Sequence, residues 1–274
     1  MNIDQRTRLY GVVGHPISHS LGPTMHNAAL AASGLNAVYL AFDVQDVAGL
    51  VRGMRAFGIR GLSVTIPHKS GVIPLLDQVD ALAQKIGAVN TIRNEEDRLI
   101  GYNTDAMGAL EALEAKTEIS GKTCLIVGAG GAARAIAFML KEKGVPLHIA
   151  NRSKERGEAL ARDLGCAFVP LSDVEQTHVD LLINTTSVGM SPHTEKSPVP
   201  DRILREGMTV MDIVYNPLET RLLRTAKQRG CVTVDGLGMF VHQGAEQFRL
   251  WTGLEAPIEA MSQAVRKVLH RGSS

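Results

Sequence analysis

Thr123-Cys124-Leu125-Ile126-Val127-Gly128-Ala129-Gly130-Gly131-Ala132-Ala133 joins an apolar run to a glycine-rich turn near the middle of the chain. Residues 123–127 make a short, nearly continuous apolar run, the pattern of a strand in a parallel sheet covered on both faces. The remainder matches G-x-G-x-x-[G/A], with Gly128, Gly130 and Ala133 at the three defining positions. In that motif the first glycine permits a tight turn and the second lets the backbone approach a pyrophosphate. The third position must be small so that helix and strand pack closely. The pyrophosphate sits at the helix N-terminus, where free N–H groups and the dipole favour an anion. A glycine motif alone is weak evidence, and a purely structural glycine-rich turn is the competing reading. Here a strand precedes the motif, a helical pattern follows it, and a second strand comes at residues 147–150, which is the required context. A dinucleotide-binding site is therefore expected.

The end of that second strand bears on which dinucleotide. An NAD site usually carries Asp or Glu there, about 20 residues past the glycines, on the ribose 2′-hydroxyl. This chain reads Ala150-Asn151-Arg152-Ser153-Lys154, followed by Arg156, with no carboxylate at the position. A carboxylate would repel the extra phosphate of NADP, whereas the planar guanidinium of Arg152 can grip it. The expectation is NADP; the bland alternative is that Arg152, Lys154 and Arg156 merely form a solvated helix start.

Outward from this core, strand-like and helical patterns alternate almost from end to end. Strands are expected at residues 9–13, 38–44 and 62–66 and helices at 24–32 and 47–57. A hairpin of 88–93 and 98–102 turns at Asn94-Glu95-Glu96-Asp97, and a helix runs over about 105–115. Further strands fit 167–169, 180–184, 209–213 and 232–234. Alternating βαβ units imply a doubly wound α/β sheet. The loop 187–200, rich in Ser, Pro and Gly, reads equally as a flap or a solvated connector.

Composition narrows the class. With 274 residues, two domains are the natural prior. Hydrophobic residues make up 45% and charged ones 21%, enough for packed cores. The formal net charge is +1 with no basic stripe, so nucleic acid is not expected as a partner. Cys124, Cys166 and Cys231 are far apart and form no CxxC pair, which suggests neither a disulfide framework nor a zinc site. Cys124, in an apolar run, reads as a buried small hydrophobe. His15, His19 and His26 invite a metal reading, but Pro16 breaks any helix that would align the first two, and no metal is expected. No apolar stretch approaches the ~20 residues of a membrane span, and a cytoplasmic location is expected, as monomer or homodimer.

The first half offers candidates for the chemistry in Ser63-Val64-Thr65-Ile66-Pro67-His68-Lys69, a strand running into a loop, and in Asn103-Thr104-Asp105, before a helix. On their own, a loop Lys is usually solvated and an Asp before a helix is usually a cap. With them stand Gly14-His15-Pro16-Ile17-Ser18-His19-Ser20, Gly87-Ala88-Val89-Asn90-Thr91, Gly101-Tyr102-Asn103-Thr104-Asp105 and Asn151-Arg152. Downstream come Asn184-Thr185-Thr186-Ser187-Val188-Gly189-Met190, Asp212-Ile213-Val214-Tyr215-Asn216-Pro217, Asp235-Gly236-Leu237-Gly238-Met239 and His242-Gln243-Gly244-Ala245. In these ordered motifs the chain resembles the shikimate dehydrogenase family over nearly its whole length. That family reversibly reduces 3-dehydroshikimate to shikimate with NADPH in aromatic amino-acid biosynthesis.

The resemblance implies roles. Lys69 and Asp105 correspond to the catalytic pair, Lys69 handling the hydroxyl proton and Asp105 orienting it. Ser20, Thr65, Asn90 and Gln243 match positions that hold the substrate's carboxylate and hydroxyls, Tyr215 lines the substrate site, and Ser18 stands by the carboxylate. Met239 lies beside the nicotinamide. The dinucleotide groove takes in Gly128 to Ala133, Asn151, Arg152, Lys154 and Arg156, then Thr185, Thr186, Ser187, Ile213 and Gly236. The implied architecture is two α/β domains with a cleft between them: residues 1–105 plus 241–274 for substrate, and a Rossmann domain, 106–240, for NADP.

Two positions depart from the family pattern. His19-Ser20-Leu21-Gly22-Pro23 has Gly22 where a serine hydroxyl normally helps bind the substrate carboxylate. Losing one hydrogen bond to a charged group costs roughly 1.5–3 kcal/mol. Ser63 stands where many members carry Asn. Both leave room for a quinate or quinate/shikimate dehydrogenase, or for an enzyme of an amino-substituted shikimate analogue. From a different class, a catalytically idle NADP-binding regulator is the rival, against which the presence of both Lys69 and Asp105 argues.

Overall fold

The computed structural model describes residues 3–271. The chain divides into two compact units, residues 1–104 with 243–274, and residues 105–242. The sequence-based boundaries placed Asp105 and residues 241–242 in the first unit. Asp105 instead opens a helix that packs within the second, and the later boundary falls inside one continuous helix rather than at a linker.

In the first unit β1 (Arg8–Gly14), β2 (Ala37–Asp43) and β3 (Gly61–Val64) run parallel, with α1 (Gly22–Ala32) and α2 (Val47–Ala56) as crossovers. Pro23 opens α1, where its fixed φ suits the first turn. The Asp46 side chain accepts from the Gly49 N–H to cap α2. Then β4 (Gln78–Val79) and α3 (Ala81–Ile86) lead to the antiparallel β5 (Thr91–Glu95) and β6 (Arg98–Tyr102). The strand order is β2-β1-β3-β5-β6-β4. Glu96 and Asp97 make the hairpin turn in the left-handed region, at φ 51° and 69°, although neither is glycine. The Asn94 side chain accepts from the Asp97 N–H and holds the turn.

Several strand ends differ from the sequence pattern, the largest shifts being in β3 and in β5, which also continues to Glu95 and leaves only Glu96 and Asp97 for the turn. β3 stops at Val64 rather than at 66, and β5 starts at Thr91 rather than at 88. The backbone of residues 89–90 is shared out instead: Val89 donates to the Lys69 carbonyl, Asn90 donates to that of Tyr102, and the Asn90 carbonyl accepts from Val64.

The second unit begins with α4 (Asp105–Glu114) and alternates thereafter. Its elements are β7 (Cys124–Val127), α5 (Gly131–Glu142), β8 (Leu147–Asn151), α6 (Lys154–Leu164), β9 (Ala167–Pro170), β10 (Leu181–Asn184), β11 (Thr209–Asp212), α7 (Arg221–Gln228) and β12 (Val232–Val234). All six strands are parallel, in the order β12-β11-β10-β7-β8-β9. The alternation within β7 explains why its sequence is apolar throughout. Cys124 and Ile126 pack into the core on one face, and Leu125 and Val127 into the core on the other. Burial raises the Cys124 thiol well above its ordinary range. β7 and β10 are neighbours whose connections leave in opposite directions, and ligands of doubly wound sheets bind at that switch point.

α8 (Gly236–Thr252) and α9 (Ile258–Arg271) end the chain, and α9 packs on α1. No helix among the described residues is long and apolar enough to cross a membrane. No group of three or more potential metal ligands occurs among them, and all three cysteines are free thiols.

Candidate active site

In the second unit the glycine loop lies at the C-terminal end of β7. Gly128 has φ 123°, and an added Cβ would stand 2.2 Å from Thr185 Oγ1. No other residue type suits that position. Thr185 in turn donates to the Val127 carbonyl at 2.8 Å, locking the loop after β10 against the loop after β7. Gly130 caps α5 with extended backbone and no side-chain bond to the first turn. The N–H groups of Gly131, Ala132 and Ala133 therefore begin a helix without a side-chain cap, and a Cβ added at Gly130 would meet nothing within 4 Å. Ala133 is fully buried under the helix. This is a cradle for an anion. At the end of β8, Asn151 donates to the Ser153 carbonyl, and Ser153 caps α6 by accepting from Arg156 N–H. Arg152, Lys154 and Arg156 are exposed. Arg152 has no carboxylate partner among the described residues, whereas Lys154 approaches Glu158 at 3.8 Å. The residues present fit a dinucleotide with a phosphorylated ribose.

Behind this loop lies a polar network that the sequence motifs did not single out. Asn184, at the end of β10, is fully buried. Its Oδ1 accepts from Thr186 N–H at 3.0 Å and from Thr186 Oγ1 at 2.7 Å, and its Nδ2 donates to Asp212 Oδ1 at 2.9 Å. Asp212 also accepts from Val214 N–H at 3.0 Å and from Thr220 Oγ1 at 2.7 Å. Burial pushes the Asp212 carboxyl up to about 6, against the pull of those hydrogen bonds. One buried carboxylate thus holds both the loop carrying Thr185, Thr186 and Ser187 and the segment carrying Ile213 and Tyr215. Gly236 opens α8 against that segment, where an added Cβ would meet the Ile213 carbonyl oxygen at 2.4 Å. Met239 is buried one turn along the same helix. Tyr215 stacks on Phe240, with ring centroids 4.3 Å apart. The loop 187–200 is tied down by Ser191 N–H to the Asn216 carbonyl and by buried Val199, which favours a connector over a flap.

In the first unit the C-terminal ends of β1 and β3 and the start of β5 gather the predicted polar residues. Ser18 is exposed on the turn after β1, and Ser20 is half-buried, accepting from Gly22 N–H at 3.2 Å. Thr65 follows β3, its methyl beside Gly14, where an added Cβ would meet it at 2.5 Å. Lys69 is half-buried, and its carbonyl accepts from Val89 N–H at 2.7 Å, which brings it next to Asn90. His68 is buried and its Nε2 is 2.6 Å from the Val44 carbonyl. Asn90 is itself buried; its Oδ1 accepts from Thr104 N–H and Thr91 Oγ1, both at 2.8 Å, and its Nδ2 donates to Thr104 Oγ1.

Gln247, unremarked in the sequence, organises the floor beneath. Its Nε2 donates to Thr91 Oγ1 at 3.0 Å, and its Oε1 accepts from Ser63 Oγ at 2.7 Å. Ser63 in turn accepts from the Tyr39 hydroxyl at 2.6 Å, so its short side chain is fully engaged. His26 Nε2 lies 3.2 Å from Gln247 Oε1, and burial lowers the imidazole to about 3, leaving it a neutral donor. Gln243 stands one helical turn before Gln247, on the same side of α8. The signal was present: Gln243 and Gln247 are an i, i+4 pair. Asp105 belongs to the other unit, where it is buried in the first turn of α4.

Models of known families match along the chain: a shikimate dehydrogenase substrate binding domain over residues 12–92, a shikimate / quinate 5-dehydrogenase over 110–219, and a shikimate 5′-dehydrogenase C-terminal domain over 236–266. A shikimate dehydrogenase (NADP(+)) of Moorella thermoacetica is 48% identical over all of this chain and 97% of its own length. The chain belongs to the shikimate dehydrogenase family. Among solved structures, a shikimate dehydrogenase in complex with NADP+ has a TM-score of 0.93 at 45% identity, covering 98% of each chain. Shikimate 5-dehydrogenase from Thermus thermophilus, in complex with NADP(H) and shikimate, has a TM-score of 0.87 at 42% identity, covering 96% of this chain and 100% of that one.

Proposed function

We propose that the protein is an NADP-dependent shikimate dehydrogenase, an oxidoreductase acting on a CH–OH group, which reversibly reduces 3-dehydroshikimate to shikimate in aromatic amino-acid biosynthesis. The first unit binds the substrate and the second binds the cofactor. When bound, NADP(H) supplies the hydride acceptor or donor. Lys69 Nζ accepts the proton of the substrate hydroxyl during oxidation, and in its protonated form returns it to the developing alkoxide during reduction. Asp105 completes the catalytic pair. Ser20, Thr65, Asn90 and Gln243, with Ser18, hydrogen-bond the substrate's carboxylate and hydroxyls, and Tyr215 lines its site. The amides from Gly128 to Ala133 hold the pyrophosphate and Asn151, Arg152, Lys154 and Arg156 the adenosine phosphate. Thr185, Thr186, Ser187, Ile213 and Gly236 line the dinucleotide groove, and Met239 lies beside the nicotinamide.

The observation that carries this reading is the Val89 N–H to Lys69 carbonyl bond, which sets the one lysine of the first unit's polar cluster beside Asn90 and the Thr65 loop. Gly22 favours a second reading, a quinate/shikimate dehydrogenase of broader specificity, because it removes a hydroxyl that would select for one carboxylate pose. Initial-rate kinetics with shikimate and quinate, each with NADP and NAD, separate the two. A kcat/KM strongly favouring shikimate with NADP is the expected result. Comparable rates with quinate select the second reading, and no turnover of either refutes both, leaving an NADP-binding regulator.

A further inference from the structure

The end of the first sheet opposite Thr65 and Lys69 carries a second concentration of charge. Arg8 opens β1, Arg60 immediately precedes β3, Arg93 lies near the end of β5 and Arg98 opens β6. Those four strands are consecutive neighbours in the sheet, so the four guanidiniums are carried on rigid, adjacent elements. They surround a concavity of about 620 Å³ that also reaches Tyr10 and Trp251, a size typical of small-molecule sites. Its floor is built tightly. The Trp251 indole lies across Gly61, where an added Cβ would meet its Nε1 at 2.3 Å, and that Nε1 donates to the Ile92 carbonyl at 3.0 Å. The Tyr10 ring is buried 5.5 Å from that of Trp251.

The charges at this mouth do not cancel. Four arginines face two glutamates, Glu95 and Glu96. Arg93 pairs with Glu95 at 2.7 Å, and Arg98 donates to Gln78 Oε1 at 2.6 Å. Arg8 and Arg60 have no carboxylate or hydrogen-bond partner for their side chains among the described residues. Burial raises the Tyr10 phenol, and the charges of Arg8 and Arg60 nearby oppose that rise without reversing it. Arg55, Arg134 and Arg221, which are partly buried, pair with Asp77, Asp163 and Asp201. Arg8 and Arg60 are exposed and, like the exposed Arg152, Arg156, Arg162 and Arg266, have no carboxylate partner among the described residues, but these two share one concavity. Two unmatched planar forks beside a polar hollow fit phosphoryl or carboxylate groups, each able to take two N–H bonds from one guanidinium.

We propose that this hollow is a binding site for a compact polyanion, a small molecule with at least two phosphoryl or carboxylate groups, held by Arg8 and Arg60. It is separate from the residues assigned to the reaction and does not depend on that assignment. The ligand's weight falls on strands that continue to Thr65 and Asn90 and on the helix turn next to Gln247.

Trp251 is the only tryptophan in the chain and reports on the site directly. Its emission is followed at constant ionic strength with saturating NADP+, which fills the other anion cradle, while inorganic pyrophosphate or citrate is added in separate titrations. The expected result is a saturable change with a Kd below about 1 mM for at least one probe; which probe binds more tightly identifies phosphoryl or carboxylate groups as the preferred chemistry. Arg8→Ala/Arg60→Ala raises that Kd at least about tenfold. Arg60→Gln, which keeps the stem and removes one charge, raises it several-fold. The proposal is overturned by a linear, non-saturating response to both probes, or by an unchanged Kd in both variants with native thermal midpoints.

Discussion

Replacing Asp212 by asparagine removes the single ionisable group from the network under the 184–188 loop while keeping its shape. Asn Oδ1 can still accept from Asn184 Nδ2 and Val214 N–H, and its new Nδ2 faces Thr220 Oγ1, whose free lone pair can accept. What disappears is the cost of holding a carboxylate in a fully buried position. Burial raises that carboxyl from 3.8 to about 6 in the folded protein. The folded state therefore binds a proton more readily than the unfolded chain between those values, and stability is lost as pH rises through that window. The gap corresponds to about 3 kcal/mol at neutral pH relative to pH below 4. Asparagine carries no such penalty, so the variant's thermal midpoint, close to that of the parent near pH 4, should exceed it by roughly 6–12 °C at pH 7. Thermal unfolding of both proteins in matched buffers from pH 4 to 7.5 reads the difference directly. A midpoint gap that stays constant with pH, or that shifts against the variant as pH rises, refutes the reasoning.

Three further outcomes follow from the sites. Lys69→Ala should lower kcat about 10²–10⁴-fold with a small change in shikimate KM, since it removes a proton acceptor; undiminished turnover would eliminate Lys69 as the base. Arg152→Ala should raise the KM for NADP about tenfold to a hundredfold and leave that for NAD nearly unchanged, because only NADP carries the extra phosphate; parallel changes in both would mean that Arg152 does not read it. Gly22→Ser should lower the shikimate KM up to about tenfold by restoring a hydroxyl at the carboxylate. Its Cβ finds Ser20 Oγ at 3.2 Å and a Tyr39 carbon at 3.4 Å, a close fit that a small side-chain shift relieves. An unchanged or higher KM would show that the position does not face the substrate.

The doubly wound sheet of the second unit was legible in the chain because its evidence is local. An apolar strand, a glycine that must adopt φ 123° and a helix that must start without a side-chain cap all fall within residues 124–131. The missing carboxylate at a fixed distance from that loop is equally local, and it is what makes Arg152 a candidate for the extra phosphate. Lys69 and Asp105 were not legible in this way: each has an ordinary reading as a loop lysine or a helix-first aspartate, and only likeness to a family of sequences singled them out.

What lies beneath the sites comes from contacts between distant parts of the chain. Gln247 reaches Thr91, 156 positions away, and Ser63, 184 positions away. Asp212 gathers Asn184 and Thr220 from separate elements into one buried network. Arg8, Arg60, Arg93 and Arg98 share one end of a sheet only because β1, β3, β5 and β6 are neighbours in it. Periodicity reports which face of an element is buried, but not which distant element covers it. Hydrogen bonds among buried polar groups depend on that second fact, since each buried donor and acceptor must find its partner wherever the fold brings one. The dinucleotide loop and the alternation of strands and helices thus follow from local chain chemistry, while the positioning networks and the arginine-lined hollow exist only once strand order and register are set.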